Sequence, residues 1–160
     1  MKRAVALSKR GTVLWTIGHG NRSIEDFVAL LEEHEIEVLV DIRSFPTSKI
    51  EHFKREEVQQ WLSRYGIGYV WLGKELGGYR RGGYEAHMKT QLFKRGVEKL
   101  LEFARLTPVC IMCMEKSPKH CHRRFLTADL ERKGVKVMHI LEKGQVDLVK
   151  LKDIIAENRL

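Results

Sequence analysis

The sequence predicts an α/β fold: a single domain on a mostly parallel five-stranded sheet covered by helices on both faces. Three observations predict it. Five short apolar runs, rich in Val, Ile and aromatic residues, alternate with amphipathic segments along the chain, as strand–helix–strand units do. Several of these runs are too continuously apolar for a sheet with one wet face, so both faces need cover. A length of 160 residues suits one domain with a proper core and is short for two. Residues 1–11, "MKRAVALSKRG", read as a basic, flexible N-terminal segment and 12–160 as the domain.

The elements follow in order. "TVLWTIGH" is the first strand. "SIEDFVALLEEHE" places Ile24, Phe27, Val28, Leu30 and Leu31 on one helical stripe, with Ser23 and Asp26 as a variant capping box. "EVLVDIRSF" is the second strand, "REEVQQWLSRYG" a second helix closed by Gly66, and "GYVWLG" the third strand. "GKELGGYRRGG", Gly73 to Gly83, reads as a mobile, cationic loop. "YEAHMKTQLFKRGVEKLLEFARL" is one long helix with a weak point at Gly96. "PVCIMCME" and "VKVMHIL" are strands four and five, separated by the helix "CHRRFLTADLERKG". "DLVKLKDIIAENRL" is a C-terminal helix.

Composition narrows the partners. A net charge of +8 favours an anionic small molecule or nucleic acid. No apolar run approaches the roughly 20 residues that span a bilayer, and Ala4 to Leu7 is too short a core for a signal peptide. The expectation is a cytoplasmic protein with no membrane contact. Three cysteines, two of them inside a strand, argue against a disulfide framework and for a reducing compartment. Oligomeric state is not legible.

In an open parallel sheet, ligands bind outside the carboxyl ends of the strands. The polar residues at those ends are therefore the candidate site. Strand one delivers His19, Asn21 and Arg22; strand two delivers Asp41 and Arg43. Strand four ends at Glu115, and the next turn brings Cys121, His122 and Arg123 to a helix start. That helix start offers free N–H groups to an anion and lowers the pKa of a thiol facing it. A charged Glu115 after so apolar a run is expected to meet an arginine or a ligand. Duller readings stand beside these: Asp41 with Arg43 as a structural ion pair, His19 bonded to a backbone carbonyl, Cys113 as a small buried hydrophobe, His139 as a core residue. Cys110-x-x-Cys113 looks like half a zinc knuckle, but a strand sends those thiols to opposite faces. No metal or cofactor is assigned.

With "TIGHGNRSIEDF", "VLVDIRSFPTSK", the "LGG" of Leu76 to Gly78 and "CMEKSPKHCHRRFLTADL" assembled, the chain resembles the family catalogued as domain of unknown function 488. The resemblance runs from Thr16 to about Leu141 and places the family pattern on His19, Asn21, Arg22, Asp41, Arg43, Pro46, Glu115, Cys121, His122 and Arg123. Gly20 stands where a serine is common and Ser117 where an aspartate often follows the glutamate. The resemblance implies a compact α/β fold and a shared polar site, without a settled reaction.

Three functional readings result. The first is an enzyme that hydrolyses an anionic, nucleotide-like or nucleic-acid substrate. Glu115 or Asp41 would act as acid or base and His19 or His122 would move a proton, with Asn21, Arg22, Arg43 and Arg123 holding the anion. The second is a sulfur-transfer or redox protein with Cys121 as its nucleophile. The third is a non-catalytic nucleic-acid-binding module that tracks phosphates with "GGYRRGG" and the basic N-terminus.

Overall fold

The computed structural model describes residues 11–118 and 121–148. The basic N-terminal segment and nearly all of the expected C-terminal helix lie outside the described residues. The strands are β1 (Val13–Gly18), β2 (Val38–Asp41), β3 (Gly68–Trp71), β4 (Val109–Cys113), β5 (Lys136–Glu142) and β6 (Gln145–Leu148). The helices are α1 (Ile24–Glu33), α2 (Arg55–Arg64), α3 (Gly73–Leu76), α4 (Tyr84–His87), α5 (Gln91–Leu106) and α6 (Arg123–Arg132).

The sheet order is β3-β2-β4-β1-β5-β6. Its first five members are parallel, as the alternation of elements predicts. A sixth strand is added antiparallel to β5, and it takes Asp147 and Leu148 from the start of the expected C-terminal helix. Gly144, at φ 75°, turns the chain back there, and the open edge of β5 offers pairing partners that local helix preference cannot match. No helix among the described residues is long and apolar enough to cross a membrane.

Both faces are packed. Val40, Ile42 and Ile111 join Leu100 of α5 and Leu126 of α6 in one cluster. Leu39, Cys110 and Met112 join Phe27 of α1 and Trp61 of α2 in the other. β4 is buried along its whole length. Each fully buried Leu or Phe in these clusters stabilises the fold by about 1.5–3 kcal/mol relative to exposure.

Two helical expectations change. The long helix is broken at Met88–Thr90 and not at Gly96. Thr90 caps α5, its hydroxyl oxygen accepting the Phe93 N–H at 3.2 Å, and Ser23 caps α1 in the same way at 3.0 Å. Gly96 is a contact point: a Cβ there would lie 2.5 Å from Glu75 Cβ and 2.9 Å from Leu76 Cδ2, so α3 reaches the surface of α5 only because the side chain is missing. The stretch 73–83, expected to be a mobile loop, begins with α3. Arg80 then folds back, donating to the carbonyls of Gly77 at 2.8 Å and Gly73 at 3.0 Å.

This topology fixes where a site can form. The connections after β1 and β2 run over the α1/α2 face, and those after β3 and β4 over the α5/α6 face. β4 lies between β2 and β1, so the chain diverges on both sides of its carboxyl end and opens a crevice there. β1 and the chain leaving β4 touch closely. A Cβ on Gly18 would sit 1.7 Å from Glu115 O.

Candidate functional site

Two hollows lie at the crevice. The first, about 560 Å³, has Arg43, Ser44, Phe45, Tyr79, Cys121 and His122 among its lining residues. The second, about 740 Å³, includes His19, Asn21, Lys49 and Lys116. Met114 and Glu115, on the chain leaving β4, border both.

Cys121 precedes α6 and is half-buried; Cys113 ends β4 and is buried. Strand alternation turns Cys113 to the α5/α6 face and Cys110 to the other. The start of α6 crosses that face, so the two sulfurs meet 2.9 Å apart and share a hydrogen bond. Cys121 Sγ also takes the Arg123 N–H at 3.5 Å and lies 3.7 Å from His122 Nδ1. The Cys113 hydrogen bond is the main cause that draws the Cys121 thiol well below the usual range; His122 and the Arg123 N–H add to it, and burial opposes them. Burial, then the same shared proton, pushes Cys113 up. The shared proton therefore stays with Cys113 and favours the thiolate form of Cys121. Cys110 is raised by burial alone in the strand's other face. His122 Nε2 is buried with no hydrogen-bond partner among the described residues.

Asp41 and Arg43 meet across one strand turn. Arg43 Nε donates to Asp41 Oδ1 at 2.9 Å and Nη2 to Oδ2 at 2.8 Å. The Arg43 N–H at 3.0 Å and the Tyr69 hydroxyl at 2.6 Å complete the carboxylate's partners. All four contacts fall on a side chain with no exposure. Arg43 Nη1 also donates to Phe53 O at 2.7 Å and approaches His19 Nε2 at 3.4 Å. His19 bonds Gly20 O through Nδ1 at 2.9 Å and stacks on Phe53 with centroids 4.4 Å apart. Burial lowers its pKa to about 4. The ring is neutral at pH 7, with Nδ1–H donating and Nε2 accepting from Arg43.

The remaining candidates are dispersed. Arg22 is tied to Gly18 O, Leu141 O and Glu142, binding the end of β1 to that of β5. Arg123, expected to hold an anion, is completely buried and lines neither hollow. Its Nη1 donates to Thr16 Oγ1 at 2.9 Å and its Nη2 to Glu115 O at 2.6 Å and Lys116 O at 3.1 Å. Thr16 is hydrogen-bonded in turn to His139 Nδ1. Arg123 thus shapes the chain after β4, taking the carbonyl of Glu115. The Glu115 carboxylate meets no cation among the described residues, so of the two expected partners, an arginine or a ligand, the arginine is not found there. Asn21 is exposed at the second hollow.

The structure therefore brings Arg43, Glu115, Cys121 and His122 to one cleft, with His19 and Asp41 packed behind Arg43. Cys113, Phe45 and Tyr79 also line that cleft and were not among the candidates. For Cys113 a signal existed: it shares the face of Glu115 at a strand end.

A family model described as domain of unknown function DUF488 matches residues 23–130. No curated protein and no solved structure matches the chain.

Proposed function

The chain belongs to the DUF488 family, whose description carries no reaction, and from the chemistry of the cleft we propose a thiol-dependent enzyme: Cys121 attacks a sulfur of a small substrate and Cys113 completes the exchange. The contact of these two sulfurs beside the cleft carries the reading. The Cys121 thiolate attacks one sulfur of a disulfide, the S–S bond breaks, and the far sulfur leaves as a thiolate. Cys113 then loses its proton and attacks the Cys121 sulfur, which releases the second substrate thiolate and leaves a Cys113–Cys121 disulfide. Two electrons pass from protein to substrate, and a cellular thiol restores the dithiol. In this reading His122, against the Cys121 sulfur, receives the proton that Cys113 gives up, and Glu115, which lines both hollows, is a polar contact for the substrate.

Hydrolysis by two carboxylates has less support. Asp41 already accepts four hydrogen bonds, and both nitrogens of His19 are engaged. Their role in this reading is to hold Arg43 on the cleft wall. The net charge of +8 supports an anionic substrate, and a concave cleft of about 560 Å³ supports a small molecule over nucleic acid. Free thiols suit a reducing compartment such as the cytoplasm.

Mass spectrometry and thiolate release after adding a small disulfide test this. Wild type should release both substrate thiolates and end as the internal disulfide. Cys113→Ser should stop at the mixed disulfide on position 121, and Cys121→Ser should form neither product. Alkylation of Cys121 should be nearly flat between about pH 6 and 8. A rate that rises tenfold per pH unit there, as for a free thiol of pKa about 8.5, would overturn the reading.

A further inference from the structure

We propose that the mouth of the cleft is a ring-binding subsite: Phe45 and Tyr79 are jaws for a planar aromatic ring on the small molecule whose sulfur Cys121 attacks. This assigns a substrate class and rests on the thiol reading above. Phe45 is 68% and Tyr79 88% exposed, whereas the other five phenylalanines and all three tryptophans are buried or half-buried. Both exposed rings line the same cleft as Cys121. Their centroids lie 6.0 Å apart with planes tilted by 49°.

Tyr79 is held in this position at a cost. Its φ is 56°, a left-handed conformation unfavourable for a residue with a Cβ, and the ring gains no burial in return. The conformation is enforced from both sides. The Ser44 hydroxyl donates to Gly78 O, linking the residue before Phe45 to the residue before Tyr79. Arg80, the residue after Tyr79, is anchored on the carbonyls of Gly73 and Gly77. A strained backbone that presents an uncovered aromatic ring at a reactive cleft is accounted for by a ligand that covers it.

Dimensions agree. A ring between two parallel aromatic faces needs about 7 Å, from contact at roughly 3.5 Å on each side, so the jaws, 6.0 Å apart and tilted by 49°, have to turn towards parallel as well as part. A volume of about 560 Å³ falls in the range of small-molecule sites, roughly 300–1,000 Å³. Met114, half-exposed at the same wall, supplies a polarizable thioether for a ring edge.

The test compares an aromatic disulfide, dithiodipyridine, with an aliphatic one, hydroxyethyl disulfide, by stopped-flow on wild type, Tyr79→Ala, Phe45→Ala and Tyr79→Phe. Iodoacetamide alkylation in parallel reports whether Cys121 itself is intact. The aromatic disulfide should react with saturation in wild type and the aliphatic one without it. Loss of either ring should raise the half-saturating concentration about tenfold or more, from stacking of about 1–3 kcal/mol, while Tyr79→Phe keeps the wild-type value. Equal half-saturation in wild type and both alanine variants, with Cys121 still alkylated rapidly, overturns the ring subsite alone. A Cys121 that is sluggish to every reagent in wild type overturns the thiol reading on which the subsite depends.

Discussion

His19 packs against Phe53 and Arg43 with its Nδ1 on Gly20 O, and burial holds its pKa at about 4 against 6.5 in an exposed chain. In the unfolded protein the ring takes a proton below about pH 6.5; in the folded protein it resists until about pH 4. The folded state is therefore at no disadvantage above pH 6.5, and it loses stability as pH falls from there towards 4. The loss at pH 5 should be about 2 kcal/mol. Urea unfolding at about pH 7.5 and 5 should show it in wild type, and His19→Gln should shrink the difference between the two pH values by that amount. An unchanged difference would mean that His19 titrates normally in the fold. At this scale the sequence was informative about identity and less so about role. The strand-end rule pointed to Arg43, Glu115, Cys121 and His122. It could not tell that Asp41 is saturated by Arg43 and Tyr69, or that Arg123 turns inward, because partner counts are set by tertiary contacts between strands distant in the chain. Cys113 escaped for the same reason: alternation gives its face, but only packing reveals that α6 begins there.

Elements carry the next layer of cause. α3 and α5 approach at Gly96 more closely than any side chain allows, and α3 leads straight into Gly77, Gly78 and Tyr79 at the cleft. Gly96→Ala should gain helix propensity of about 1 kcal/mol and lose more through overlap with Glu75 Cβ, since overpacking costs about 1–3 kcal/mol. A net fall in Tm is the expected outcome; a rise would show that α3 yields freely. Amphipathic spacing made α1, α2, α5 and α6 legible because each has a buried stripe. The break before α5 was readable too, in Thr90 three residues ahead of Phe93. The additional edge strand was not, since a four-residue strand owes its existence to a neighbouring edge and carries little pattern of its own. Arg80 likewise organises the glycine-rich stretch through backbone carbonyls that leave no trace in composition.

For the molecule as a whole, the order of strands decides where chemistry can occur. Apolar alternation predicted the parallel sheet and its two covered faces, but not that β4 inserts between β2 and β1, and that insertion makes the crevice. It also gives the two sulfurs unlike foundations. Cys113 belongs to a central strand paired on both sides, whereas Cys121 stands two residues ahead of α6. Amide hydrogen exchange should show this as two opening energies: β4 exchanging only with global unfolding, and residues 121–124 opening at least about 2 kcal/mol sooner. Equal protection would deny the difference. If it holds, local fraying of one helix end can part the thiols and switch off their shared proton while the sheet stays intact, so nucleophile strength would follow a breathing motion instead of a fixed geometry.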